Sequence, residues 1–280
     1  SKAHASNERI ETMMSVTSCE LGVCDEPDSR PMKGFKEKIE FENVSFAYEE
    51  DLIVQDLSFI IKKGQKIGII GDSGSGKSTL LNLIPRFFDV TGGRILIDST
   101  DLRSLTLESV RTYITMVPQQ AVLFHATVLE NIGLGCPELI ASDDEIRKAA
   151  QKANADRFIK ELPDGYETLL RSGNTQLSGG QAKRVLLARA FLRDADIILL
   201  DEPTDALDPD SENLVMEAFD RLAKNRTVIV ASHQLKTISN ADMILVMRNG
   251  KIAERGTHTE LLSRKDGIYA SFWKMQVDNV

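Results

Sequence analysis

From Lys38 onward, apolar and polar residues follow one another in regular patterns. KIEFENVSFAY (Lys38 to Tyr48) alternates between the two, and DLSFIIKKG (Asp56 to Gly64) alternates again up to a glycine turn. A period of two marks a strand with one covered face, so these segments predict two half-buried strands of an antiparallel sheet. KIGIIG (Lys66 to Gly71) is instead a short continuous apolar run, the pattern of a strand covered on both faces. It leads through a glycine-rich loop into a helical stretch, KSTLLNLIPRFF (Lys77 to Phe88). Further buried-type runs are YITMV (Tyr113 to Val117), DIILLD (Asp196 to Asp201), TVIVAS (Thr227 to Ser232) and ADMILVM (Ala241 to Met247). Helical segments separate several of them, and this alternation predicts an α/β fold with a mostly parallel central sheet. The stretch from about Gln120 to Arg193 lacks such runs and reads as a helical insertion. No internal repeat is visible.

The ends of the chain read differently. Residues 1–37 are rich in Ser, Asn, Glu and Pro, offer little to bury, and are expected to form a partly disordered linker. Within them, ASNERIETMMSV (Ala5 to Val16) places Ile10, Met13 and Met14 at helical spacing, which fits a short amphipathic helix or a disordered tail equally well. The folded domain is expected over 38–275, with 276–280 as a tail. Because the chain begins with Ser1, it is expected to be part of a longer polypeptide.

Composition then limits the function. With 280 residues, 42% of them hydrophobic, the chain can bury a full core. A net charge of -8 and a pI near 5.2 argue against a general nucleic-acid binder, which needs clustered Lys and Arg to release counterions. No run approaches the roughly 20 apolar residues of a membrane span, and no secretory leader opens the chain. Cys19, Cys24 and Cys136 have no metal-ligand spacing, so incidental thiols in a reduced setting are expected.

Two motifs carry chemistry. Gly71-x-x-x-x-Gly76-Lys77-Ser78 fits the phosphate-binding P-loop, and it lies where such a loop must lie, between a buried strand and a helix. Gly71, Ser73, Gly74, Ser75 and Gly76 let backbone N–H groups face inward around phosphates. Lys77 supplies a point charge to the β- and γ-phosphates, the Ser78 hydroxyl is a candidate Mg²⁺ ligand, and Thr79 is expected nearer the α-phosphate. Downstream, IILLDE ends a buried strand in Asp201, a second candidate Mg²⁺ ligand, and Glu202, the candidate general base. Between these halves lies LSGGQ (Leu177, Ser178, Gly179, Gly180, Gln181). It is another glycine-rich turn opening a helix, suited to an anion, in a chain that already has one such turn for its own nucleotide. A second phosphate for it points to a dimer.

GDSGSGKST, LSGGQAKR, IILLDEPTDALD and the SHQ of Ser232 to Gln234 together resemble the nucleotide-binding domain of an ATP-binding cassette (ABC) transporter, over about Lys38 to Trp273. The resemblance implies a P-loop NTPase fold with an antiparallel β subdomain at the N-terminus and LSGGQ on the helical insertion. It implies ATP and Mg²⁺ as ligands and ATP hydrolysis as the activity. It also implies a head-to-tail pair of domains in which LSGGQ of one clasps the ATP on the P-loop of the other. By position, Tyr48 resembles the aromatic that stacks on adenine, and Gln119 resembles the glutamine that reaches Mg²⁺ and the attacking water. His233 resembles the histidine that contacts the γ-phosphate. Catalysis is thereby assigned to Glu202, His233, Gln119 and Lys77, metal binding to Ser78, Gln119 and Asp201, and contact with the partner's ATP to Leu177 through Gln181.

VPQQAVLFHATVLENI (Val117 to Ile132), ELPDGYETLL (Glu161 to Leu170) and the segment from Ala5 resemble the exporter branch of that family. That implies a transmembrane part and a second cassette as partners, identical or different, with no nucleic acid. It also places this domain on the cytosolic or organelle-matrix side of a membrane. The chain departs from the common pattern at Ser172, where an acid is usual, at Ala182, where a base is usual, and at Asp205, where a small serine is usual. A soluble ABC ATPase and a non-hydrolysing regulatory cassette are the alternatives at this stage. THTE (Thr257 to Glu260) is separately a capping box, a structural helix start.

Overall fold

A computed structural model describes residues 23–136, 141–170 and 177–277. Its strands are β1 (Lys38–Tyr48), β2 (Asp51–Lys62), β3 (Lys66–Gly71), β4 (Gly92–Ile97), β5 (Thr100–Asp101), β6 (Ile114–Val117), β7 (Ile197–Asp201), β8 (Thr227–Ala231), β9 (Met243–Arg248) and β10 (Lys251–Gly256). The helices that matter here are α1 (Lys77–Leu83), α2 (Leu107–Thr112), α3 (Val128–Gly133), α4 (Asp143–Lys152), α5 (Asp156–Glu161), α6 (Gly179–Arg193), α7 (Pro209–Ala223), α8 (Leu235–Ile238), α9 (His258–Leu262) and α10 (Ile268–Val277).

The strands form two sheets. One is antiparallel, in the order β2-β1-β4-β5, and the other runs β10-β9-β3-β8-β7-β6. In the second sheet β9, β3, β8, β7 and β6 are parallel, and only β10 runs against its neighbour. The continuous apolar runs have their reason in the two cores. Ile67, Ile69, Ile197, Leu199, Ile229 and Leu245 pack in the core shared with the antiparallel sheet and α1. Their alternates Ile70, Ile198, Leu200, Val228, Val230 and Ile244 pack in the core shared with α6, α7 and the helical insertion. Both faces of the central sheet are therefore covered, as parallel sheets require. Phe41 and Phe59, opposite each other on β1 and β2, stack at 4.3 Å between ring centroids.

Sequence and structure part in three places. β4 was hidden by its two leading glycines and short apolar end, so the antiparallel sheet is larger than the two expected strands. Residues 23–37, expected to have little to bury, put Val23, Met32 and Phe35 at 7% exposure or less. They are tied down by the buried Arg86, whose Nη2 donates to the Cys24 carbonyl at 3.0 Å, and by a bridge from Arg30 to Leu105. Cys24 is disulfide-bonded, contrary to the expectation of unpaired thiols, whereas Cys136 is free. The helix expected over Ala5 to Val16, Cys19 and the departure at Ser172 lie outside the described residues. The capping box at Thr257 and Glu260 forms as expected. Among the described residues no helix is long and apolar enough to cross a membrane.

Candidate functional site

Because β3, β8 and β7 are parallel neighbours, their carboxyl ends share one edge of the sheet, the edge where such folds bind ligands. Ile69 and Asp201 both sit opposite Ala231 in register, and Val117 sits opposite Leu200. The segments after β3, β6, β7 and β8 therefore leave the sheet side by side. They carry, in turn, the phosphate loop, Gln119, Glu202 and His233.

The loop after β3 turns into α1 at Gly76, whose φ of 99° is a left-handed conformation that side-chain-bearing residues rarely adopt. Lys77 is buried, and its Nζ donates to the carbonyls of Gly71 at 2.8 Å and Asp72 at 3.0 Å, so the ammonium sits inside the curve of the loop. Ser73, Gly74, Gly76, Lys77, Ser78 and Thr79 line a cavity of about 410 Å³, together with Gln119, Glu202, Asp205, His233 and Ile53. Nine residues named from the sequence thus meet in one space.

Glu202 and His233 are directly joined. Glu202 Oε2 accepts from the backbone N–H of His233 at 3.0 Å and lies 2.7 Å from Nδ1 of the same residue. A carboxylate only accepts, so this contact places the imidazole proton on Nδ1. Glu202 itself has φ 45°, an uncommon backbone for a residue with a long side chain, and its N–H is held by the Ala231 carbonyl at 2.8 Å. The turn after β7 thus aims this carboxylate at His233.

Asp201 lies deeper. Burial raises its pKa, opposed by a hydrogen bond with Ser78; the Glu202 carboxylate raises it further, while the charges of Lys77 and Lys183 lower it. Its Oδ1 is buried with no hydrogen-bond partner. An unpartnered buried carboxylate oxygen beside a serine hydroxyl fits a hard cation such as Mg²⁺. No group of three or more His, Cys, Asp or Glu side chains among the described residues could hold a metal alone. An ion there would lean on phosphate oxygens for the rest of its shell, as Mg²⁺ in nucleotide sites does.

LSGGQ does not join this cavity. Leu177 is buried, and Ser178 caps α6 in a capping box with Gln181, each backbone N–H satisfied by the other's side chain. Ser178 and Gly179 are exposed at the start of a 15-residue helix. Gly180 approaches α7 so closely that a Cβ there would lie 2.5 Å from the Ser211 Cβ. Arg184 fixes the helix to the insertion by donating to the Asn154 carbonyl at 2.9 Å. The LSGGQ turn thus presents Ser178 and Gly179 to solvent, outside the cavity.

Tyr48 also lies outside the cavity lining, 39% exposed, with its ring edge-on to Phe46 and Phe88. Gly71 and Ser75 do not line the cavity either: the Gly71 carbonyl accepts from Lys77 Nζ, and the Ser75 hydroxyl is buried without a partner. Three participants escaped the sequence reading as site residues. Ile53 is an ordinary strand residue in an unremarked part of β2. Asp205, noticed as a departure, lines the cavity and accepts from Gln119 Nε2 at 3.1 Å. Lys183 is buried beneath the site, its pKa drawn down to about 8 by burial against the opposing pull of Asp201, Asp205 and Glu202. A lysine two positions beyond LSGGQ was a visible signal for it.

Comparison with known proteins agrees with this geometry. The profile of the ABC transporter family matches residues 54–205, more than half of the chain. An ATP-dependent lipid A-core flippase of Desulfotalea psychrophila is 46% identical over 252 residues, covering 90% of this chain and 44% of that protein. ATP-binding cassette sub-family B member 6 of Rattus norvegicus is 43% identical over 268 residues, covering 95% of this chain and 32% of that protein. The solved structure of a bacterial Atm1-family ABC exporter with ATP bound superimposes with a TM-score of 0.84 at 40% identity, covering 91% of this chain and 44% of that one. The chain thus spans less than half the length of these relatives. With a phosphate loop, an acidic strand end, a histidine and the exposed start of an LSGGQ helix arranged on this fold, the chain belongs to the ABC transporter family.

Proposed function

We propose that this domain drives export across a membrane, as one of two cassettes that close head to tail around ATP and part after hydrolysis. The observation that carries this reading is the division of the site. One cavity gathers Lys77, Ser78, Gln119, Glu202 and His233, while the LSGGQ helix presents Ser178 and Gly179 to solvent outside it. A complete site then needs the signature of a second chain, identical or different. Relatives named as a flippase and an exporter, each more than twice the length of the match, support a transmembrane part elsewhere in the polypeptide or assembly. The domain would sit against it on the cytosolic or matrix side, and residues 1–37 would lead from it.

In this reading water attacks the γ-phosphate in line. Glu202 takes or orients its proton, and His233, hydrogen-bonded to the same carboxylate oxygen, holds Glu202 in place. Lys77 and the opposing Ser178 neutralise charge on the γ-phosphate oxygens. Ser78, Asp201 and Gln119 are the residues that would hold Mg²⁺, which when bound draws charge from the bridging and leaving oxygens. Tyr48 would carry the adenine, a stacking contact of about 1 to 3 kcal/mol by analogy with base stacking on aromatic side chains.

Mixing two crippled chains tests the composite site. Lys77→Ala removes the loop charge and Ser178→Arg blocks the signature, so each chain alone is expected to be inactive. Mixed, they form one site with an intact loop from the Ser178→Arg chain and an intact signature from the Lys77→Ala chain. Recovered phosphate release is the expected result, and a mixture as inactive as its components would overturn the head-to-tail reading.

A further inference from the structure

Lys183 is a buried cation beneath the cavity that the mechanism above leaves unused. It stands on α6, five residues beyond the cap Ser178, with 5% of its surface exposed. Its Nζ donates to the Pro118 carbonyl at 2.8 Å and approaches the Glu202 carbonyl at 3.5 Å, the outer limit of a hydrogen bond. Pro118 immediately precedes Gln119. One ammonium group therefore touches the backbone of both loops that supply the water-handling side chains of the cavity. Among the described residues no carboxylate lies within ion-pair distance of it. Asp201, Glu202 and Asp205 act on its charge only from farther away. Burying an ammonium without a paired carboxylate is unfavourable, and a plain core position would be filled better by Leu or Met. What a lysine offers here, and an apolar residue does not, is three donors on a stem long enough to reach two carbonyls at once.

We propose that Lys183 is a positioning residue for hydrolysis, joining the helix that opens with LSGGQ to the Gln119 and Glu202 loops of its own chain. The inference rests on the reading of Glu202 as the base and of LSGGQ as a grip on the partner's ATP. Its consequence is a link between the two sites of a pair. A signature helix pulled toward the partner's nucleotide would draw on the Pro118 and Glu202 carbonyls, and so on the aim of the side chains serving its own ATP. Two carbonyl contacts are a short path with no intermediate packing to absorb the displacement. The role differs from that of Lys77, which faces phosphate, since Lys183 does not line the cavity.

The test replaces Lys183 by Met, which keeps the stem and removes the donors. Turnover at saturating Mg-ATP is expected to fall about 10- to 100-fold, the scale of a small misplacement of catalytic groups. ATP affinity, read by fluorescent nucleotide titration, and the melting temperature are expected to stay near wild type. Turnover within twofold of wild type, or a loss matched by an equal loss of ATP affinity, would overturn the proposal. If the Met chain does not fold, Lys183→Gln serves, judged by the same split between turnover and affinity. Placement in the mixed pair adds a readout that general loosening would not give. On the Ser178→Arg chain, which owns the working loops, Lys183→Met should lower the recovered activity by the same roughly 10- to 100-fold; on the Lys77→Ala chain it should leave most of it. Equal effects from both placements would overturn the proposal. Glu202→Gln run alongside separates the two readings: if it keeps turnover, the assignment of the base fails and Lys183 with it, whereas loss there with normal Lys183→Met turnover sinks Lys183 alone.

Discussion

Gln119 and Asp205 face each other across the mouth of the cavity, the Nε2 of the first donating to Oδ2 of the second at 3.1 Å. A glutamine expected to serve Mg²⁺ and water is thereby held by a carboxylate that lines the space a triphosphate would enter. Asp205→Asn keeps the shape and removes the charge. It is expected to tighten binding of metal-free ATP about fivefold at low salt, an effect of the order of 1 kcal/mol for charges near a surface, and to lose most of that advantage at 0.5 M salt. Titration with a fluorescent nucleotide at two salt concentrations checks it. Unchanged affinity at low salt would show that the Asp205 charge does not reach the nucleotide.

Glu202 and His233 share one carboxylate oxygen, so their variants should resemble each other in direction. Glu202→Gln is expected to reduce turnover by about 10² to 10⁴, the usual scale for losing a general base, with ATP still bound. His233→Ala should also lose turnover while binding ATP. The pair should be strongly non-additive, because removing His233 harms mainly through Glu202. Single-turnover phosphate release from both single variants and the double variant decides this. A double variant whose losses simply multiply would contradict the geometry.

Most of this site was legible because its chemistry is carried by short contiguous motifs on recognisable elements. The continuous apolar runs gave the central strands, and parallel strands leave one edge for their ligand-binding turns. What remained hidden has physical reasons. Asp205 matters through a long-range contact with Gln119 of the same chain, 86 positions away, which no local pattern encodes. Lys183 is hydrophilic by type and buried by position, so periodicity reads it as a surface residue. Val23, Met32 and Phe35 are isolated apolar residues in a mostly polar stretch, and none is part of a regular element, although Met32 and Phe35 join the core under the antiparallel sheet. β4 begins with two glycines, which weaken any strand signal, and its first glycine lies in register with Ser45 at the far end of β1.

Gly180 has a packing role distinct from phosphate binding. A Cβ built on it meets the Ser211 Cβ at 2.5 Å, closer than real side chains approach. Gly180→Ala is expected to destabilise the fold by about 1 to 3 kcal/mol, the usual range for overpacking, by prising α6 from α7. In a Ser211→Gly background the same substitution should be markedly less harmful, since the opposing Cβ is gone. Thermal melting of the four chains gives the coupling. An equal loss in both backgrounds would place the strain elsewhere.

Alkaline pH should open the fold through two tyrosines. Burial raises the Tyr269 pKa from 10.0 to about 12, and its hydroxyl, carried by the C-terminal helix α10, lies 2.7 Å from Nδ1 of His258 at the start of α9. Tyr166 is raised as well, first by burial and then by its hydrogen bond to Asp156 and by that residue's charge. In both, the folded chain prefers the neutral phenol more than the unfolded chain does. Their contribution to stability is therefore complete below pH 10 and is lost as pH rises toward and beyond about 12. Tyrosinate absorbance near 295 nm, followed beside far-ultraviolet circular dichroism, should show two of the four tyrosines ionising only with the loss of structure. Replacing both by Phe should remove most of the decline in melting temperature between pH 10 and 12, apart from the general effect of losing lysine charge. A decline of the same size in that double variant would show that these phenols are not what limits the fold at high pH.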